Sequence, residues 1–342
     1  MNKCGLSEDT QLFCRFYLGD IANQIDILHQ SPIYRTASKG AVSIIQQRPV
    51  NGSSVNLFAY HIKGKNDNFT KKYFSFDSDK WSNGALIHGT NYDLLWTANF
   101  SGKGAFDTQK QTNDLFQSYN MILNRNGMNL IDNAVRTWVY VRDIDNHYIG
   151  MVEARKAFLE AHGLNVQTRY IASTGIEGIT KEANSLVSLD TLSIKNITQE
   201  QIVPMKAIEY LPSTIEYGVT FERGIRVRFG DRSHLYISGT ASIDKNGKIM
   251  HISDVQNQTL RTLENIRALL ASHDADLKDL AYLIIYIRNF KDKNRVMTVL
   301  EKEIPPNIPF LFVEAAICRP AWLVELEGMG IISDSNDYPV FL

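Results

Sequence analysis

The sequence is poor in the features that would announce a compartment, a metal or a nucleotide. Three cysteines occur in 342 residues, Cys4, Cys14 and Cys318, widely spaced and with no histidine at ligand spacing. That excludes a disulfide framework and a zinc site and points to a reducing compartment. Charge of one sign is also missing: 36 basic and 37 acidic residues leave a net charge of -1, and no long like-charge block interrupts them. Neither a nucleic-acid footprint nor an acidic tail is expected, so a small-molecule partner is. The longest apolar run, Ala281 to Ile287, is far too short to cross a bilayer, and the first residues bring in Glu8 and Asp9 too early for a signal peptide. A soluble cytoplasmic protein without membrane contact is the expectation. No G-x-G-x-x-G or G-x-x-x-x-G-K pattern is present, and His88, His234 and His251 show no metal-ligand spacing, so no cofactor and no metal are expected.

What is present concentrates near the C-terminus. Pro309 to Gly328 reads PFLFVEAAICRPAWLVELEG, two apolar runs flanking Arg319-Pro320-Ala321. A proline between strand-like runs predicts a hairpin with Cys318 opposite Leu323. The period of a strand then puts Leu323, Glu325 and Glu327 on one face. A carboxyl group in an apolar setting beside a second carboxylate should have its pKa raised, as a general acid near neutral pH requires. The alternative is an edge strand whose glutamates face water.

Residues 1 to 110 are the least legible, with short strands expected at Val55 to Ile62, Lys72 to Phe76, Ala85 to His88 and Leu94 to Phe100. Beyond Thr112 the apolar spacing becomes helical, ending near Asn126-Gly127, and a strand follows over Ala134 to Ile144. Asp254 is placed to cap a helix whose stripe is Val255, Leu260, Leu263, Ile266 and Leu270. TWVYVRDI at 137 to 144 recurs as LIIYIRNF at 283 to 290, aligning Tyr140 with Tyr286 and Arg142 with Arg288. This suggests a duplicated unit. The predicted class is α+β: two tandem units, 1–203 and 204–342, each a mainly antiparallel sheet with helices on one face and a small-molecule pocket in the crevice between.

The strand pair ending in SGTAS, the helix TLENIRALL, the strand IIYIR and the terminal VEAAIC…VELEG together resemble the Rid (reactive-intermediate deaminase) superfamily. Within it, RTWVYVRDI with the EARKAF helix, Tyr217-Gly218…Phe221-Glu222-Arg223, SGTASI at 238 to 243 and ICRPAWLVELEG at 317 to 328 are similar to the chorismatases, which contain two Rid-like, chorismate-mutase-like units in tandem. Imine-hydrolysing Rid enzymes carry an arginine where this chain has Phe310, which speaks against ordinary imine deamination.

The resemblance implies an enzyme that hydrolyses the enolpyruvyl ether of chorismate, a dicarboxylate, to pyruvate and a hydroxybenzoate or dihydroxycyclohexadiene acid. It implies Glu325 as general acid and Cys318 as a nucleophile or ring contact. Arg223 and Tyr217 would bind substrate, with Arg288 a weaker candidate that could equally cap a buried strand. Ala241 and Ser242 lie in the SGTAS stretch that shapes the ring pocket. Arg319 is expected to face solvent at the turn. Rid-type units imply a homotrimer. Two rivals remain: a hydrolase of another enamine or imine, and a ligand-binding protein that retains the fold without turnover.

Overall fold

A computed structural model describes residues 5–63, 69–76, 81–212 and 220–341. Strand β1 (Gln11–Leu18) opens the chain, followed by helices α1 (Ile21–Gln30) and α2 (Pro32–Ala37), then β2 (Ala41–Gln46), β3 (Arg48–Pro49) and β4 (Val55–His61). The first three-stranded sheet has the order β2-β1-β4. Next come β5 (Thr70–Ser75), β6 (Asn83–His88), β7 (Asp93–Ser101), α3 (Thr108–Arg125), the short α4 (Leu130–Asn133), β8 (Ala134–Val141), α5 (Ile144–Ala161), β9 (Ala172–Glu177) and β10 (Val187–Lys195). Their six-stranded sheet runs β5-β6-β7-β10-β8-β9.

The last part comprises β11 (Ile202–Pro204), β12 (Gly224–Arg228), β13 (Arg232–Ala241), α6 (Val255–Ala271), β14 (Leu280–Ile287), α7 (Lys293–Glu303), β15 (Phe310–Glu314) and β16 (Val324–Ser333). Its sheet runs β11-β12-β13-β16-β14-β15, with β3 of the N-terminal region added at the far edge. The molecule is α+β, and the duplication is visible in strand order: β6-β7-β10-β8-β9 and β12-β13-β16-β14-β15 are the same pattern. β8 is parallel to β9 as β14 is to β15, while β10 and β16 return antiparallel. Tyr140 and Tyr286 occupy matching places, opposite Ser188 and Glu325 respectively.

Helix α6 forms as its sequence dictates. The Asp254 carboxylate accepts the Asn257 amide at 3.2 Å as N-cap, and Val255, Leu263, Ile266, Leu269 and Leu270 on one stripe are fully buried. Each such side chain contributes roughly 1.5–3 kcal/mol by leaving water. β1, QLFCRFYL, is buried along its whole length, so it lacks the alternation by which a strand with one wet face is read.

One expectation fails in the C-terminal stretch. Phe310–Glu314 does not pair with Val324–Ser333, because β14 lies between them, parallel to one and antiparallel to the other. Residues 315–323 are therefore a connection that crosses the end of β14, and Cys318 is not opposite Leu323 in a ladder. Arg288, just past β14, fixes that connection: its guanidinium donates to the carbonyls of Ile317 and Trp322 and pairs with Asp145 at 2.8 Å. Arg142, just past β8, does the same in the first repeat, donating to the carbonyls of Ser185 at 3.0 Å and Glu182 at 3.2 Å.

The repeats meet along β9. The Ser173 amide donates to Ser238 Oγ at 2.9 Å, the Gly239 amide to Thr174 Oγ1 at 3.0 Å, and the Glu177 amide to the Ala316 carbonyl at 3.0 Å. The three-stranded sheet is tied to the first repeat by the Asn99 carboxamide, which accepts from Ile44 N, and by the buried Arg15–Asp190 pair at 2.9 Å.

Candidate active site

A cavity of about 110 Å³ opens where β9 and α5 of the first repeat face β13, β16 and the 315–323 connection of the second. Its lining includes Tyr148, Arg155 and Ser173 from one side and Arg223, Ala241, Cys318, Arg319, Trp322 and Glu325 from the other. Larger clefts lie along α3 and α6, but neither gathers a buried carboxyl with several guanidinium groups.

Glu325 is buried with its carboxyl toward the cavity. Burial and then the charge of Glu327 push that carboxyl up to about 8, against the opposing pull of Arg136 and Arg223. A side chain in this state carries its proton at neutral pH and can give it away. The backbone makes room for it at Gly239, where a Cβ would overlap Glu325 Oε1. A glycine inside a strand is a sign of such close approach, and the SGTAS motif held that signal.

The cations are partly those expected. Arg223 is buried and stacks its guanidinium 5.4 Å from the Phe221 ring. Arg155, which sequence reasoning passed over inside the EARKAF helix, is also buried; its Nε donates to Thr220 Oγ1 at 3.0 Å and its Nη1 reaches Ser173 Oγ at 3.4 Å. A lone arginine on a helix gives no sign of facing a site contributed by another repeat, which is why it was missed. Arg319 does not simply face solvent: it lines the cavity and lies 4.9 Å over the Trp322 ring.

Cys318 stands beside Glu325, and burial pushes its thiol up to about 12, with the nearby Glu325 acting in the same sense. Tyr148 is its neighbour in the cavity lining. The thiol is therefore protonated at neutral pH, which suits a wall or a weak donor better than an attacking thiolate. Ala241 lines the cavity as expected. Ser242 does not: it is one residue out of phase on the strand, and its hydroxyl donates to the Met250 carbonyl at 3.1 Å. Arg288 is likewise outside the lining, its donors spent on the connection. Tyr217 falls outside the described residues. Phe310 is at the start of β15, in a separate apolar cleft with Phe58 and Tyr282. Among the described residues no cluster of His, Cys, Asp and Glu could hold a metal ion.

A crystal structure of a chorismatase superposes on 95% of this chain and 94% of its own, with a TM-score of 0.69 at 18% identity. The chain has the chorismatase fold. Residues 224–332, the second repeat of that chorismatase fold, match the family model described as endoribonuclease L-PSP. Over 96 residues, 28% of this chain and 76% of the relative, the sequence is 28% identical to the 3-aminoacrylate deaminase RutC of Acinetobacter baylyi. Within the chorismatase fold the cavity lies between the repeats, where the duplicated sequence led one to look.

Proposed function

We propose that the protein hydrolyses the enolpyruvyl ether of chorismate. Glu325 gives its proton to the terminal methylene carbon, leaving an oxocarbenium ion on the ether carbon and a carboxylate on the enzyme. Water adds to that carbon and returns a proton to Glu325. The hemiketal then breaks the bond between its central carbon and the ether oxygen: the hydroxyl gives up its proton to become the keto group of pyruvate, and the ether oxygen stays on the ring and takes a proton, so the ring alcohol leaves. A placed general acid contributes about 10²- to 10⁴-fold, and holding the substrate against fixed dipoles in a closed pocket contributes the rest.

Arg155, Arg223 and Arg319 supply the forks for two carboxylates, and Phe221 and Trp322 supply apolar walls for the ring. Cys318 and Ala241 contact the ring and so influence which acid leaves. Chorismate hydrolysis draws its support chiefly from one observation, the buried Glu325 carboxyl in a cavity that Arg155, Arg223 and Arg319 also line. The test is purified protein with chorismate, pyruvate followed through lactate dehydrogenase, and the ring product identified by mass spectrometry. Turnover that vanishes in Glu325→Gln is the expected result, and no pyruvate from wild-type protein would overturn it.

The deaminase-like stretch of the second repeat favours one rival, an enamine or imine hydrolase in which Arg155 or Arg223 replaces the carboxylate-binding group absent at Phe310. Release of ammonia from 2-aminoacrylate by the same preparation, without pyruvate from chorismate, would select it.

A further inference from the structure

We infer that Glu327 is a positioning residue, a fixed anion that keeps the proton on its neighbour Glu325. The inference rests on the reading of Glu325 as the acid and adds how that acid is tuned. Strand β16 alternates, so residues 325 and 327 project from one face about 7 Å apart. Glu327 is almost completely buried, yet its carboxyl is surrounded by donors from three other strands. Oε1 accepts from Trp138 Nε1 at 3.0 Å and Tyr286 Oη at 2.8 Å. Oε2 accepts from Arg136 Nη2 and Thr174 Oγ1.

The hydroxyl of Thr174 already accepts from Arg136 Nη2 at 2.6 Å and from the Gly239 amide at 3.0 Å. Its single proton is therefore committed to Glu327. The indole and guanidinium nitrogens can only donate. A proton on Glu327 would displace one of these donors or reverse the Tyr286 hydroxyl, and it would strip the buried Arg136 of its counter-ion. The carboxylate form is the one this cage accepts.

A negative charge held so close on the same face resists a second one on Glu325. The groups facing Glu325 are Glu327 on its own strand, Arg136 from β8, Arg155 and Tyr148 from α5, Arg223 before β12, Tyr286 from β14, and Cys318 and Arg319 from the connection. Glu327 is the carboxylate among them. Thr174 links the two roles, since one atom holds both the Glu327 cage and the amide of Gly239, the residue that leaves space for the acid.

The test is carbon-13 NMR of full-length protein labelled at the glutamate carboxyl carbon, with the Glu325 resonance identified by its loss in Glu325→Gln. Wild type should titrate near pH 8. Glu327→Gln should lower that midpoint by about one to two pH units, and the alkaline limb of pyruvate release should move down with it. Glu327→Asp, which retains the charge, should return the midpoint toward wild type even where kcat is reduced. Should Glu327→Gln fail to fold, the paired Arg136→Gln/Glu327→Gln variant replaces the ion pair by neutral partners and should shift the midpoint in the same direction by less. A midpoint unmoved in every folded variant reduces Glu327 to a structural residue and overturns the inference, as does a wild-type midpoint in the ordinary carboxylate range. A midpoint that shifts as expected in a protein that releases no pyruvate would sink the chorismate reading alone.

Discussion

Glu325 is costly to the fold for the same reason that it is useful. Its folded-state pKa of about 8 stands above the ordinary glutamate value of 4.5, so the native protein binds a proton that the unfolded chain has released between those two pH values. Stability relative to a neutral side chain is therefore equal below pH 4.5, falls as pH rises, and levels off above pH 8. Glu325→Gln should abolish pyruvate release, by at least about 10²-fold. It should also raise stability by roughly 3 kcal/mol at pH 7, and chemical denaturation of both proteins at pH 4 and pH 7 checks the sign. Activity of wild type should decline as pH passes about 8, where the donor loses its proton. At Gly239 a single methyl is enough to disturb the acid: Gly239→Ala should lower kcat by about an order of magnitude or more, with the fold retained by circular dichroism.

The connection 315–323 is the element that brings Cys318, Arg319 and Trp322 to the acid, and Arg288 is what holds it. Arg288→Met removes donors from two carbonyls and the charge opposite Asp145. Faster amide exchange across 315–323 and a KM raised several-fold should follow, with about 1–3 kcal/mol lost. The matching change Arg142→Met should loosen 182–186 and leave KM for the substrate untouched, which separates the two clamps experimentally. Periodicity found the glutamate face of β16 because period two survives whatever the strand pairs with. The hairpin was misread because a proline-marked turn resembles a crossover that lets a third strand slip between two runs, and nothing in PFLFVEAAICRPAWLVELEG records which neighbour each run takes. Ser242 was misplaced for a related reason: a one-residue phase error on a strand reverses the face. β1 went unseen because a strand buried on both sides has no polar face to alternate with.

At the scale of the molecule the two repeats do unequal work. The first gives Tyr148, Arg155 and Ser173 to the cavity, and the second gives Arg223, Cys318 and Glu325. Arg155→Gln should raise KM for a dianionic substrate by about 10- to 100-fold, the value of a lost charge-assisted hydrogen bond, with a smaller effect on kcat; steady-state kinetics separates the two. The repeat pattern itself was legible, since Tyr140/Tyr286 and Arg142/Arg288 recur in LIIYIRNF and TWVYVRDI at equivalent places. The contribution of the first repeat to the site was not, because it depends on how two sheets pack.

The register that sets Glu325 opposite Tyr286 sets Ser188 opposite Tyr140. A serine has no carboxyl to offer, so at that place the first repeat lacks a counterpart of Glu325. Each polypeptide then has one productive binding event to offer, and a tight-binding inhibitor should lower activity linearly to an end point at one equivalent per chain.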